Sequence, residues 1–296
     1  VQRRRYNDNL EEDKRMKTKA RHALKLGALI ATSAFAAGAA AADWSDTYLG
    51  YRWGNKFREP NNPNDIRKDI VQLTHASGYK YGSNFFNVDT LLSDANDRAH
   101  NSSDGAHEIY VLYRHQLQFG KLGAPTKFGP VRDLAFTLGF DFNSKNTTFA
   151  PRKRAWVAGP TIKFDVPGFL DLSVLYYKES NHRGIPGTPR PEVSFDPTYM
   201  ISASWNVPFA PGGVPLKFQG FINYTGEKGK DYLNLDTEPE TLSRSSLMLD
   251  VGQLAFGKKN SLWLGVGYEY WKNKFGNRPG VGTQVNAAQI QLEYHF

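Results

Sequence analysis

The stretch NAAQIQLEYHF, residues 286–296, decides how this chain folds. Ala288, Ile290, Leu292, Tyr294 and Phe296 fall on one side of an extended backbone, and Gln289, Gln291, Glu293 and His295 on the other. Side chains of a strand point alternately to opposite faces, so this is a strand with one apolar and one polar face. The same pattern recurs upstream. Leu262, Leu264, Val266, Tyr268 and Tyr270 stand against Gly265, Gly267, Glu269 and Trp271. Leu170, Leu172, Val174 and Tyr176 stand against Asp171, Ser173 and Tyr177, and Leu134, Phe136, Leu138, Phe140 and Phe142 against Thr137, Gly139 and Asp141.

In water each apolar face would need a covering layer. From Asp43 onward the sequence offers no second set of apolar elements and no amphipathic helix to supply one. Lipid is the remaining cover, and a bilayer admits strands only as a closed barrel in which every backbone polar group is paired. The expectation is all-β: a closed antiparallel transmembrane β-barrel of about twelve strands. They are placed at 45–56, 68–81, 84–92, 107–119, 131–145, 153–166, 169–181, 195–208, 214–226, 241–256, 261–275 and 285–296. Most reach the roughly 9–11 residues that a tilted strand needs to cross a bilayer. Long polar connections follow odd strands (93–106, 182–194, 227–240), and short ones follow even strands, as at Pro167-Gly168. That asymmetry is the one expected of long external loops and short internal turns, and 120–130 is a longer exception. The division between 81 and 84 has the weakest turn signal; without it the count is eleven.

Composition agrees. Aromatic residues make up 14% of the 296, yet the mean hydropathy is −0.54, too low for a bundle of membrane helices. Alternation hides a barrel from hydropathy averages in this way. The formal charge of +8 invites a nucleic-acid reading, but residues 1–42 hold nine Lys/Arg and four Asp/Glu, leaving 28 and 25 in the rest. The excess is mostly in the leader. With no cysteine, disulfides, thiolate metal sites, Cys nucleophiles and a lipoprotein anchor are excluded.

The leader reads as a secretory signal from Met16. Lys17, Lys19, Arg21 and Lys25 precede an apolar run from Leu26 to Ala37, and Ala40, Ala41 and Ala42 form a small-residue cleavage site. The mature chain is expected to begin at Asp43. Residues 1–15 fit no targeting logic and read as a non-native upstream extension. The organisation is thus 1–15 extension, 16–42 signal peptide and 43–296 barrel.

No enzyme, metal or cofactor motif stands out. His100 and His107 with Asp104 and Glu108 come nearest to a zinc set, but in a surface-loop context. A barrel hydrolase with a Ser–His site is an alternative, although no GxSxG is present. The polar face is more informative. Taking the pleat literally, the lumen wall carries Lys80, Phe85, Asn87, Asp89, Arg114, Asp141, Lys163, Asp171, Tyr177, Lys217, Phe221, Asn223, Arg244, Asp250, Glu269, Trp271 and Glu293. Of these, Phe85, Asn87, Asp89, Arg114, Tyr177, Phe221, Arg244, Asp250, Glu269, Trp271 and Glu293 are the candidate substrate-binding residues. A wide pore gains nothing from aromatic rings facing water, whereas a narrow channel for flat heterocyclic solutes can stack them. Asp89 is expected to be wet and screened.

The runs ADWSDTYLGYRWGNKFREP (42–60) and KDIVQLTHASGYKYGSNFFNVDTLLSD (68–94) resemble the nucleoside-specific channel-forming outer-membrane family, Tsx. GYKYGSNFFNVD, Gly78–Asp89, is the most distinctive part, and the resemblance continues through WVAGPTIKFDVPG (156–168) to LEYHF. It implies a monomeric twelve-stranded barrel in the Gram-negative outer membrane. It further implies facilitated diffusion of nucleosides and deoxynucleosides through weak lumen sites of aromatic and ionisable side chains. Recognition of Phe296 by the barrel-assembly machinery, and of the outer loops by phages or colicins, are implied in the same way. Other readings are a channel for another small solute, or a surface receptor without a transport role. His75 falls on the outward phase in mid-strand, which departs from a clean lipid face.

Overall fold

The computed structural model describes residues 42–296; the expected upstream extension and the signal segment through residue 41 lie outside them. The described chain is a closed antiparallel barrel. Its strands are β1 (Trp44–Phe57), β2 (Ile66–Tyr79), β3 (Gly82–Ser93), β4 (His107–Gln118), β5 (Val131–Lys145), β6 (Arg154–Phe164) and β7 (Phe169–His182). They continue as β8 (Glu192–Ser194), β9 (Thr198–Phe209), β10 (Leu216–Thr225), β11 (Glu240–Asp250), β12 (Leu262–Lys272) and β13 (Val285–His295). Every wall strand pairs with its sequence neighbours, and β1 pairs with β13, with Tyr48 opposite His295 and Trp53 opposite Ile290. The three-residue β8 only extends the edge of β7 above the wall, pairing Ser180 with Ser194, so β7 meets β9 directly. Twelve long strands therefore form the wall.

The interior and exterior are inverted relative to a protein folded in water. Leu49, Val71, Leu138, Val174, Leu264, Val266 and Ile290 are exposed, while Arg52, Lys68, Asp141, Lys163, Lys217, Glu269 and Glu293 are buried. An exposed belt of this size needs lipid against it, and the closed ladder leaves no backbone edge in the hydrocarbon. The molecule is a multi-pass β-barrel of the outer-membrane type.

Three expectations are corrected. Lys80, expected in the lumen, sits in the two-residue turn between β2 and β3, exposed, with Nζ 5.0 Å from the Tyr81 ring centroid. That turn also resolves the division between 81 and 84 in favour of two strands. Gly82, which opens β3, lets that strand lie close to β4, since a Cβ there would stand 1.8 Å from the Gln116 carbonyl oxygen. The strand expected to run to residue 256 ends at Asp250. A short helix, α1 (Val251–Phe256), follows, so the described barrel does carry a helix where none was expected. Asp250 caps it, its Oδ1 accepting from the Gln253 amide, and Gly257 closes it in the left-handed region. Asp250 therefore stands at the short-turn rim as a helix cap. The Asp250-x-x-Gln253 spacing followed by Gly257 was the available signal.

Candidate functional site: the barrel lumen

Register places the lumen side chains. On β3, Asn87 and Asp89 pair across to Thr74 and Gln72 of β2, and all four side chains point inward. Thr74 Oγ1 donates to Asn87 Oδ1 at 2.6 Å, Gln72 Nε2 donates to the same oxygen at 3.2 Å, and Asn87 Nδ2 donates to Asp89 Oδ1 at 2.9 Å. Arg52 of β1 completes the group. Its Nη2 pairs with Asp89, its Nε donates to Gln72 at 3.2 Å, and its Nη1 donates to Gln289 at 3.4 Å.

Asp89 also faces Arg244 of β11, whose Nη1 lies 3.6 Å from Oδ2. Arg244 in turn binds Glu269 of β12 through Nε at 3.0 Å and Nη2 at 2.8 Å, and its guanidinium lies 5.6 Å from the Phe221 ring. β3 and β11 are five steps apart around a ring of twelve wall strands, almost opposite walls. The chain Arg52–Asp89–Arg244–Glu269 thus crosses the lumen and narrows it. Its charges sum to zero, which lets four ionised groups share a confined space. Asp89 is only 4% exposed, so it is a paired strut and not the wet, screened carboxylate expected.

Phe85 lies on the same inward phase, four residues nearer the short-turn rim. Its cross-strand neighbours are Ala76 and Arg114. Arg114 is folded onto the wall, donating to Asp141 at 2.7 Å and to the Phe140 carbonyl at 3.1 Å. Gly139 makes room for it, since a Cβ there would stand 2.7 Å from Arg114 Cδ. With a small residue on one side and a flattened arginine on the other, the Phe85 ring is left 38% exposed inside the barrel.

Other lumen groups gather towards the two ends. Near the short-turn rim, buried Glu293 accepts from Lys217 at 2.6 Å, Gln219 at 2.5 Å and Gln291 at 2.6 Å. Lys163 binds Asp171 at 2.5 Å and Gln116 at 2.6 Å. At the long-loop mouth Glu59 collects Lys68, Lys145 and Lys274 at 2.7, 3.0 and 3.3 Å. Burial alone would raise the Glu59 carboxyl, but the three ammonium groups outweigh it and hold it well below the usual carboxylate range. Tyr177 donates to Glu179 at 2.7 Å, and Trp271 donates to Glu240 at 2.6 Å with Lys274 4.6 Å from its ring. Asp171 Oδ1 and Gln289 Nε2 are among the buried polar atoms that have no protein partner.

Of the candidate residues, the fold brings together Asn87, Asp89, Arg244, Glu269 and Phe221, and sets Phe85 beside Arg114. Tyr177 and Trp271 stand apart near the long-loop end, Glu293 near the other, and Asp250 outside the lumen path. Arg52, Gln72 and Gln289 were missed. Arg52 could have been found, because outward Leu49, Tyr51 and Trp53 flank it at period two.

Nothing converges as a metal set among the described residues; His100 meets Thr148 and Glu108 turns to Asn143. On the outward face His115 meets Tyr79 at 3.2 Å and Asn84 at 3.0 Å, with Tyr113 and Leu117 two residues to either side.

No protein-family model matches the sequence, and none of the curated proteins does. Among solved structures, the NanC porin aligns over 83% of this chain and 98% of its own, at 9% identity and a TM-score of 0.47. The KdgM porin aligns over 84% and 99%, at 10% identity and 0.42. The translocator domain of the autotransporter NalP from Neisseria meningitidis aligns over 85% and 88%, at 13% identity and 0.44.

Proposed function

We propose that the protein is a narrow outer-membrane channel that passes nucleosides and deoxynucleosides by facilitated diffusion. The observation that carries this reading is Phe85: an aromatic face left open to the lumen next to an ion-paired constriction. An apolar ring facing a water path is unfavourable unless something covers it, and a nucleobase is flat and apolar on its faces. A hydrogen-bonding group for ring edges and sugar hydroxyls stands nearby in Arg114. Binding must remain weak, since a solute held tightly cannot leave quickly.

The test is current block in planar bilayers with adenosine, thymidine and ribose. Both nucleosides should block ionic current at concentrations where ribose does not. Phe85→Ala should weaken the block by about 1–3 kcal/mol, the worth of one stacked base. Equal block by ribose, or an unchanged block in the variant, would leave a general pore for small solutes.

A further inference from the structure

Outside the barrel, at the long-loop rim, β6 and β7 carry two cations on their lipid-facing side. Arg154 pairs with Ser180, and Trp156 with Lys178. Arg154 and Lys178 are therefore diagonal neighbours on one face, with backbones about 7–8 Å apart. Like charges so placed repel unless an anion sits with them. None does within the protein: neither residue takes part in an ion pair among the described residues. Glu192, an acid on that rim, is already shared by Arg152 at 3.0 Å and His182 at 2.5 Å.

Both heads are fixed, and in opposite directions. The Arg154 guanidinium lies 5.1 Å from the Phe142 ring and donates through Nη1 to the carbonyls of Asn143 at 3.1 Å and Lys153 at 2.7 Å. This draws it towards β5. Lys178 Nζ donates to the Phe195 carbonyl, which draws it towards the connection into β9. Two guanidinium nitrogens, Nε and Nη2, and two ammonium protons remain for another partner. Between and below them, Trp156 is 55% and Tyr176 53% exposed, an aromatic belt of the kind that marks the headgroup level of a bilayer.

We infer that this rim binds the headgroup of an outer-leaflet lipid carrying two phosphates, the chemistry of bisphosphorylated lipid A. Two cations drawn apart from each other suit two phosphates carried at separate points of one headgroup. The long loops place this rim at the outer leaflet. The inference rests on that orientation and is independent of what passes through the lumen.

Native mass spectrometry of the full barrel in detergent tests it, with bisphosphoryl lipid A, monophosphoryl lipid A and phosphatidylglycerol titrated in turn. Bisphosphoryl lipid A should bind tightest to the unaltered protein. The double variant Arg154→Gln/Lys178→Gln should lose affinity on the order of thirtyfold, as about 1 kcal/mol per basic residue near an anionic surface converts. Lys258→Gln/Lys259→Gln, at the opposite rim, should bind as the unaltered protein does. Equal binding by the first variant, or equal binding of either single-phosphate lipid, would overturn the inference. The lipid comparison on the unaltered protein needs no variant to fold.

Discussion

Asp89 is the residue on which most of the lumen geometry turns. It accepts from Asn87, pairs with Arg52 on one side and faces Arg244 on the other. Removing its charge would leave two guanidinium groups converging on a neutral amide, and breaking a buried pair from one side costs about 3–5 kcal/mol. Asp89→Asn is expected to lower the temperature at which the folded, fast-migrating form is lost in detergent electrophoresis. Arg52→Gln added to it should recover part of the loss, because the second change restores a neutral cluster. The reversal potential in a salt gradient should shift towards anion selectivity in the single variant, since the constriction then carries one net positive charge. A variant that melts and selects like the unaltered barrel would show that the Arg52–Asp89–Arg244 contacts carry no weight.

Among elements, α1 and the long-loop mouth have roles that substitution separates from transport. Asp250 satisfies the Gln253 amide through Oδ1 and the Asn260 amide through Oδ2. Asp250→Ala should cost about 0.5–2 kcal/mol, as loss of a helix N-cap does, while nucleoside block stays unchanged. A weakened block at full stability would instead return Asp250 to the solute path. Glu59 ties β2, β5 and the β12–β13 loop through Lys68, Lys145 and Lys274. Because its carboxyl is held well below 4.5, its stabilisation is complete above that value and is lost as pH falls through the depressed one. Thermal stability attributable to Glu59 should thus be level from pH 7 to about 5 and decline only in stronger acid. Glu59→Gln should be less stable at neutral pH and show a shallower acid decline; parallel curves for the two proteins would refute the linkage.

For the whole molecule, closure is what matters. β1 meets β13 over Tyr48–Trp53 and β6 meets β7 over Arg154–Lys163, so no wall strand has a free edge in the membrane. Unfolding has to break the ring before any one strand can leave. The barrel should therefore keep its folded mobility in detergent at room temperature and shift only on boiling, as circular dichroism followed beside the gel would check. Gradual strand loss on mild warming would contradict a continuous ladder.

Strand positions, and which residues face lipid, were legible in the sequence because period-two alternation is a local property. NAAQIQLEYHF needs no partner to show which of its side chains must leave water. The same pleat counting put Phe85, Asn87 and Asp89 inside. It misread Lys80 and residues 251–256, where turn and cap chemistry interrupts the pleat over only a few residues. What pleat counting could not supply is distance across the barrel. Arg52, Asp89, Arg244 and Glu269 come from four strands spread over most of the chain, and no spacing along it brings them together. Only closure, with its fixed register, sets which inward side chains meet. That decided that Asp89 is an ion-paired strut and Phe85 an open ring, because a residue's neighbours across a lumen depend on the whole wall and its phase on its own strand alone.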